Sequence, residues 1–212
     1  MATSGQLCQS VAKALGVPFE TVREHLRNIR RAGEITFKGH GRGAAAMTTL
    51  DASRLLITAV GSSFVKDSVE TLVEFRKLQP LGAGKPVRGS LTKKLKPKIA
   101  LDAYVADMMQ RLIDERDRLP NAYRRPPQNP EAHSSLVLTL MSVVSARASE
   151  FPRAAVVRYF TERGAGGVSF ASPKWSRPVL GEAEYALQLP KAGLIQVRHV
   201  PAWTLAEIAH SL

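Results

Sequence analysis

The chain has 212 residues and one cysteine, Cys8, so a core of ordinary size is available while a disulfide framework and a cysteine-based zinc site are excluded. Thirty Lys and Arg against eighteen Asp and Glu leave a formal charge of +12. Residues 1–60 carry eight basic and four acidic side chains and residues 76–98 eight and none, and such clusters predict a polyanionic partner, because phosphate neutralisation releases counterions.

The opening Met-Ala-Thr-Ser-Gly lacks a basic stretch followed by an apolar one, so no secretory leader is expected and a reducing cytoplasm is. A short helix is predicted from Gln9 to Leu15, with Val11, Ala12 and Leu15 inward. Gly16 stops it, Val17 plugs the corner, and Pro18 starts a second helix over Phe19 to about Ala32. Val22, Leu26 and Ile29 fall at i, i+4 and i+7 on that helix and form one apolar stripe. The opposite face offers Thr21, Arg23, Glu24, Arg27, Asn28, Arg30 and Arg31, with His25 expected on its flank. Glu34 to Lys38 alternates like a strand, Gly39 to Gly43 reads as a loop, and Ala46 to Leu50 as a returning strand. That pattern predicts a wing carrying Lys38, His40 and Arg42, with Arg42 able to enter a minor groove or pair with phosphate.

The string Val-Ala-Lys-Ala-Leu-Gly-Val-Pro-Phe-Glu-Thr-Val-Arg-Glu-His-Leu-Arg-Asn-Ile-Arg-Arg-Ala-Gly-Glu-Ile, followed by Gly-Arg-Gly, resembles the winged helix-turn-helix domain of bacterial transcription regulators over residues 6–50. The resemblance implies a recognition helix over Phe19–Arg31, a wing over His40–Gly43, and sequence-specific binding of double-stranded DNA by a homodimer reading two half-sites. Glu20 and Glu24 depart from that pattern, since they repel phosphate; in a groove they can accept from cytosine N4.

A connecting helix is expected within residues 61–78, followed by a basic, Pro- and Gly-rich linker over 79–98. Its Lys93, Lys94 and Lys96, with Lys98 beside them, suit either a second phosphate contact or a solvated linker. Leu101, Val105, Met108 and Leu112 predict an amphipathic helix supported by the pairs Asp107–Arg111 and Asp114–Arg118. Its stripe fits packing within the chain or a dimer seam.

After a second Pro-rich stretch, Pro120 to His133, a helix is expected from Ser134 to Ser149, apolar nearly all round. Its most apolar part, Leu136 to Val144, falls well short of the ~20 residues that span a bilayer. Ala154–Arg163 suits helix or strand, Gly164–Gly167 a turn, Glu182–Leu189 a helix, Leu194–Val200 a strand and Trp203–Leu212 a closing helix. Trp175, Tyr185 and Trp203 are expected in the core rather than around a ligand.

Chemistry is sparse. Gly82-Ala83-Gly84-Lys85 lacks the glycine spacing and the Ser or Thr of a phosphate loop, and the five histidines are scattered without ligand spacing. No catalytic residue, cofactor or metal is therefore expected, and the chain reads as no enzyme, with chemistry within 134–212 as the least favoured reading. The expected fold is mainly α, of α+β type: a winged helix-turn-helix over 1–60, then a helical or mixed portion over 99–212 that dimerises, senses an effector or meets a partner. The expected function is transcriptional control, as a repressor on the nucleoid of a bacterial cytoplasm, with double-stranded DNA and a second copy as partners and no membrane. The alternative is an origin-binding replication or partition protein of a phage, plasmid or other mobile element.

Overall fold

The computed structural model describes residues 2–37, 46–83, 99–115, 136–143, 153–161, 164–173, 175, 185, 189 and 194–212. These form a mixed α+β fold of six α-helices and one five-stranded antiparallel sheet. The helices are α1 (Ser4–Leu15), α2 (Phe19–Arg31), α3 (Thr49–Gly61), α4 (Ser68–Arg76), α5 (Leu101–Asp114) and α6 (Ala202–His210). A 3-10 turn, Val65–Asp67, leads into α4. The strands are β1 (Gln79–Ala83), β2 (Leu136–Val143), β3 (Ala154–Thr161), β4 (Gly164–Ala171) and β5 (Ile195–Pro201), in the order β1-β4-β3-β2-β5.

Periodicity identifies α2, α5, β5 and α6 correctly, and it fails where a segment is buried on all sides. The helix expected over Ser134–Ser149 is instead strand β2, paired with β3 on one side and β5 on the other. An unbroken apolar run does not distinguish a buried helix from a strand covered on both faces. In β2, Leu136, Leu138 and Leu140 face the helices, while Met141 and Val143 join a second cluster with Ala154, Val156, Ala171, Tyr185 and Leu189. The glycines 164–167, expected as a turn, are the first residues of β4, paired with Arg158–Thr161. Gln79–Ala83, at the head of the Pro- and Gly-rich stretch, forms β1 at the sheet edge, where a strand can carry a proline such as Pro80. Residues 84–98 and the helix expected over Glu182–Leu189 lie outside the described residues, apart from Tyr185 and Leu189.

A continuous core joins α1, α2, α3, α5 and α6 to one face of the sheet. The stripe of α5 is consumed there: Leu101, Val105, Met108 and Leu112 are all buried against α3 and α6, so packing within the chain accounts for it. The closing helix α6 lies against α1 as well, with Lys13 Nζ 2.8 Å from Glu207 and the Ala2 N–H donating to the Leu212 carbonyl at 3.0 Å. No helix among the described residues is long and apolar enough to cross a membrane.

Candidate nucleic-acid interface

Local signals set the first two helices at a fixed angle. Thr3 and Gln6 form a reciprocal capping box at the start of α1. At its end Gly16 sits in the left-handed region with φ 65°, so that its N–H reaches the Lys13 carbonyl and the Val17 N–H that of Ala12 at 3.0 Å. The Pro18 carbonyl accepts from the Thr21 N–H at 3.1 Å and opens α2. Val22, Leu26 and Ile29 are buried against α1 and α3, each contributing about 1.5–3 kcal/mol of burial. Gly33, at φ 77°, closes α2 in the same way, with its N–H on Arg30 and the Glu34 N–H on Ile29.

The outward face of α2 carries Glu20, Arg23, Glu24, Arg27 and Arg31. Arg23 pairs with Glu20 at 2.5 Å and Arg27 with Glu24 at 2.9 Å, both one turn apart in water. Arg23 also stands 5.9 Å from the Phe19 ring centroid, and Arg30 5.3 Å from that of Phe37, which is 52% exposed. Arg31 is exposed and has no acid within ion-pair distance among the described residues.

Two expected contacts turn elsewhere. Thr21 is half-buried. Asn28 points sideways, its amide donating to the Val65 carbonyl at 2.9 Å. His25, expected on the flank, is buried and stands 2.9 Å from Ser68 Oγ. Burial pulls its pKa down to about 4, so the ring is neutral at physiological pH. Burial likewise pushes the Cys8 thiol up to about 11, leaving it protonated and unreactive.

The segment expected as a wing differs at both ends. Glu34–Phe37 forms no strand, and Thr49 and Leu50 are the first turn of α3 rather than a returning strand. The reason is Asp51, 2% exposed: one carboxylate oxygen accepts from the Thr36 N–H at 2.9 Å, and the other from the N–H and hydroxyl of Thr48 at 2.9 and 2.8 Å. Thr48 caps α3 in return. The stem of the segment is therefore clamped by a side chain where ladder bonds were expected. Thr48-x-x-Asp51 ahead of Leu55, Leu56, Ile57 and Val60 was the signal for α3 that strand alternation obscured. Lys38, His40, Arg42, Lys93, Lys94 and Lys96 lie outside the described residues.

A charge cluster locks the C-terminal end of α2 to the body. Arg54 on α3 donates from Nε to Asp102 at 2.9 Å and from Nη1 to the Glu34 carbonyl at 2.7 Å. Arg76 on α4 pairs with the Glu34 carboxylate and with Asp102, the latter at 3.1 Å. Asp102, at the start of α5, is 2% exposed and also accepts from the Ala103 N–H.

Sequence reading missed one exposed pair beside α2, Phe64 and Lys66 on the turn before α4, where the only signal is an aromatic and a lysine between two apolar helices. Among the described residues no group of His, Cys, Asp and Glu is placed to hold a metal ion. No family model, no curated protein and no solved structure matches the chain.

Proposed function

We propose that the chain is a sequence-specific binder of double-stranded DNA of the winged helix-turn-helix type, regulating transcription as a homodimer on the bacterial nucleoid, with α2 as its recognition helix. One observation carries this reading: α2 is held by its apolar face and turns Arg23, Arg27 and Arg31 outward in successive turns. Glu20 and Glu24 do not defeat it, and magnitudes say why. An exposed pair one turn apart is worth about 0.2–0.5 kcal/mol, whereas one bidentate arginine on guanine is worth about 1–3 kcal/mol. The duplex therefore wins the guanidinium, and the freed carboxylates discriminate against bases that offer no donor.

Selection of bound duplexes from a random pool tests the reading. A recovered palindrome is expected, with half-sites about one helical turn apart as a two-fold dimer requires. In the full-length protein, Arg27→Ala is expected to cost at least ~1 kcal/mol of binding to the selected site with the fold intact. Full affinity in that variant, or no enriched sequence, overturns the assignment of α2.

A further inference from the structure

The turn between α3 and α4 is fastened to α2 by a small buried set of polar groups. His25 Nδ1 lies 2.9 Å from Ser68 Oγ, and Asn28 Nδ2 donates to the Val65 carbonyl at 2.9 Å and to Ser68 Oγ at 3.4 Å. The Ser68 hydroxyl donates in turn to the Val65 carbonyl. On its other side, Ser63 Oγ meets Gln196 of β5 at 2.9 Å. Held from both sides, the turn presents two side chains to solvent, Phe64, 52% exposed, and Lys66, whose ammonium stands 5.4 Å from the Phe64 ring centroid. Lys66 has no acid within ion-pair distance among the described residues.

Position on α2 matters. At 100° per residue, Asn28 lies between the buried stripe and the outward face, and Arg31, one turn on, lies on that face. The turn thus borders the cationic row along the edge that Asn28 defines. Arg31 and Lys66 flank the same edge, and neither forms an ion pair among the described residues, although Asp67 follows Lys66 in the chain. A point charge free of a carboxylate partner suits a phosphate, and a ring beside it suits the neighbouring sugar.

We propose that the Phe64–Lys66 turn is a second contact to DNA, in which Lys66 neutralises one backbone phosphate and Phe64 packs on the adjoining deoxyribose, while His25, Asn28 and Ser68 act as positioning residues. This rests on α2 lying against the duplex. Because backbone contacts carry no base information, the turn sets affinity and register without setting sequence preference.

The test uses the full-length protein and labelled duplexes, one selected and one arbitrary, titrated across a range of salt. Lys66→Gln is expected to weaken binding several-fold and equally on both duplexes, and to reduce the slope of log affinity against log salt by about 0.9, the value for one phosphate on B-DNA. Asn28→Ala changes no charge, yet it is expected to reduce the slope as well, because it releases the turn. Lys77→Gln removes an equal charge from a lysine paired with Glu74 and is expected to leave the slope unchanged. A wild-type slope in Lys66→Gln, or an equal loss in Lys77→Gln, overturns the proposal. If Arg27→Ala weakens binding while Lys66→Gln does not, α2 stands and the turn is wrong. If the wild-type protein binds neither duplex, both are wrong.

Discussion

Arginine meets carboxylate in two regions along α2, and the surroundings make opposite uses of the same chemistry. On the outward face Arg23–Glu20 and Arg27–Glu24 lie in water within a single helix. Each is worth a few tenths of a kcal/mol, so a ligand can displace it. At the C-terminal end, Glu34, Arg54, Arg76 and Asp102 come from four different segments, and one oxygen of the buried Asp102 takes both guanidiniums. Removing Asp102 there leaves two half-buried guanidiniums short of an acceptor. The two regions therefore differ in strength: the buried network fixes where α2 sits, and the exposed pairs hold its arginines only weakly.

The largest expected effect probes the buried region. Asp102→Ala is expected to lower stability by about 3–5 kcal/mol in urea unfolding, because two half-buried guanidiniums lose their shared acceptor. A loss below ~1 kcal/mol would mean that the cluster is hydrated like the outward pairs, and the distinction would collapse.

Next in size is a pH dependence at the buried side of α2. The unfolded chain protonates His25 near its ordinary value of 6.5, the folded chain only near 4. Between those values the unfolded state binds more protons, so stability is full above pH 6.5 and falls as pH drops towards 4, by up to roughly 3 kcal/mol. His25→Gln, which can still bond Ser68, should flatten that part of the stability–pH curve. An unaltered curve would show that His25 is hydrated and that its bond to Ser68 does not fasten the turn.

The smallest effect lies on the outward face. Glu24→Gln is expected to change stability by less than about 0.5 kcal/mol while strengthening binding to arbitrary duplexes, since one repulsion from phosphate disappears. A larger stability change would place this pair with the buried network instead.

What could be read in the sequence follows the same division. Gly16, Gly33 and the stripe of Val22, Leu26 and Ile29 act within a few residues, and α1 ends and α2 forms where those signals put them; α1 starts at Ser4 rather than at the expected Gln9, because Thr3 and Gln6 cap it there. β5 and α6 were legible for the same reason. β2 was not, because two covered faces erase the alternation that marks a strand. Asn28 shares the polar face of α2 in sequence, and only Val65, thirty-seven positions away, reveals that its amide is already taken. Asp51 was overlooked because its two partners lie far apart: its bonds to Thr36 and Thr48 hold described residues for which the alternation of Glu34–Lys38 and Ala46–Leu50 predicted strands.

That carboxylate also bears on how much the segment between the two threonines can vary in length. With Thr36 and Thr48 tied to one side chain, the ends of the intervening segment are set by the scaffold and not by the segment's own sequence. Lengthening a loop between fixed ends costs only about 0.6 kcal/mol per doubling. An insertion between Thr36 and Thr48 is therefore expected to leave α2 and α3 in their places, whereas loss of the Asp51 carboxylate releases both anchor points at once.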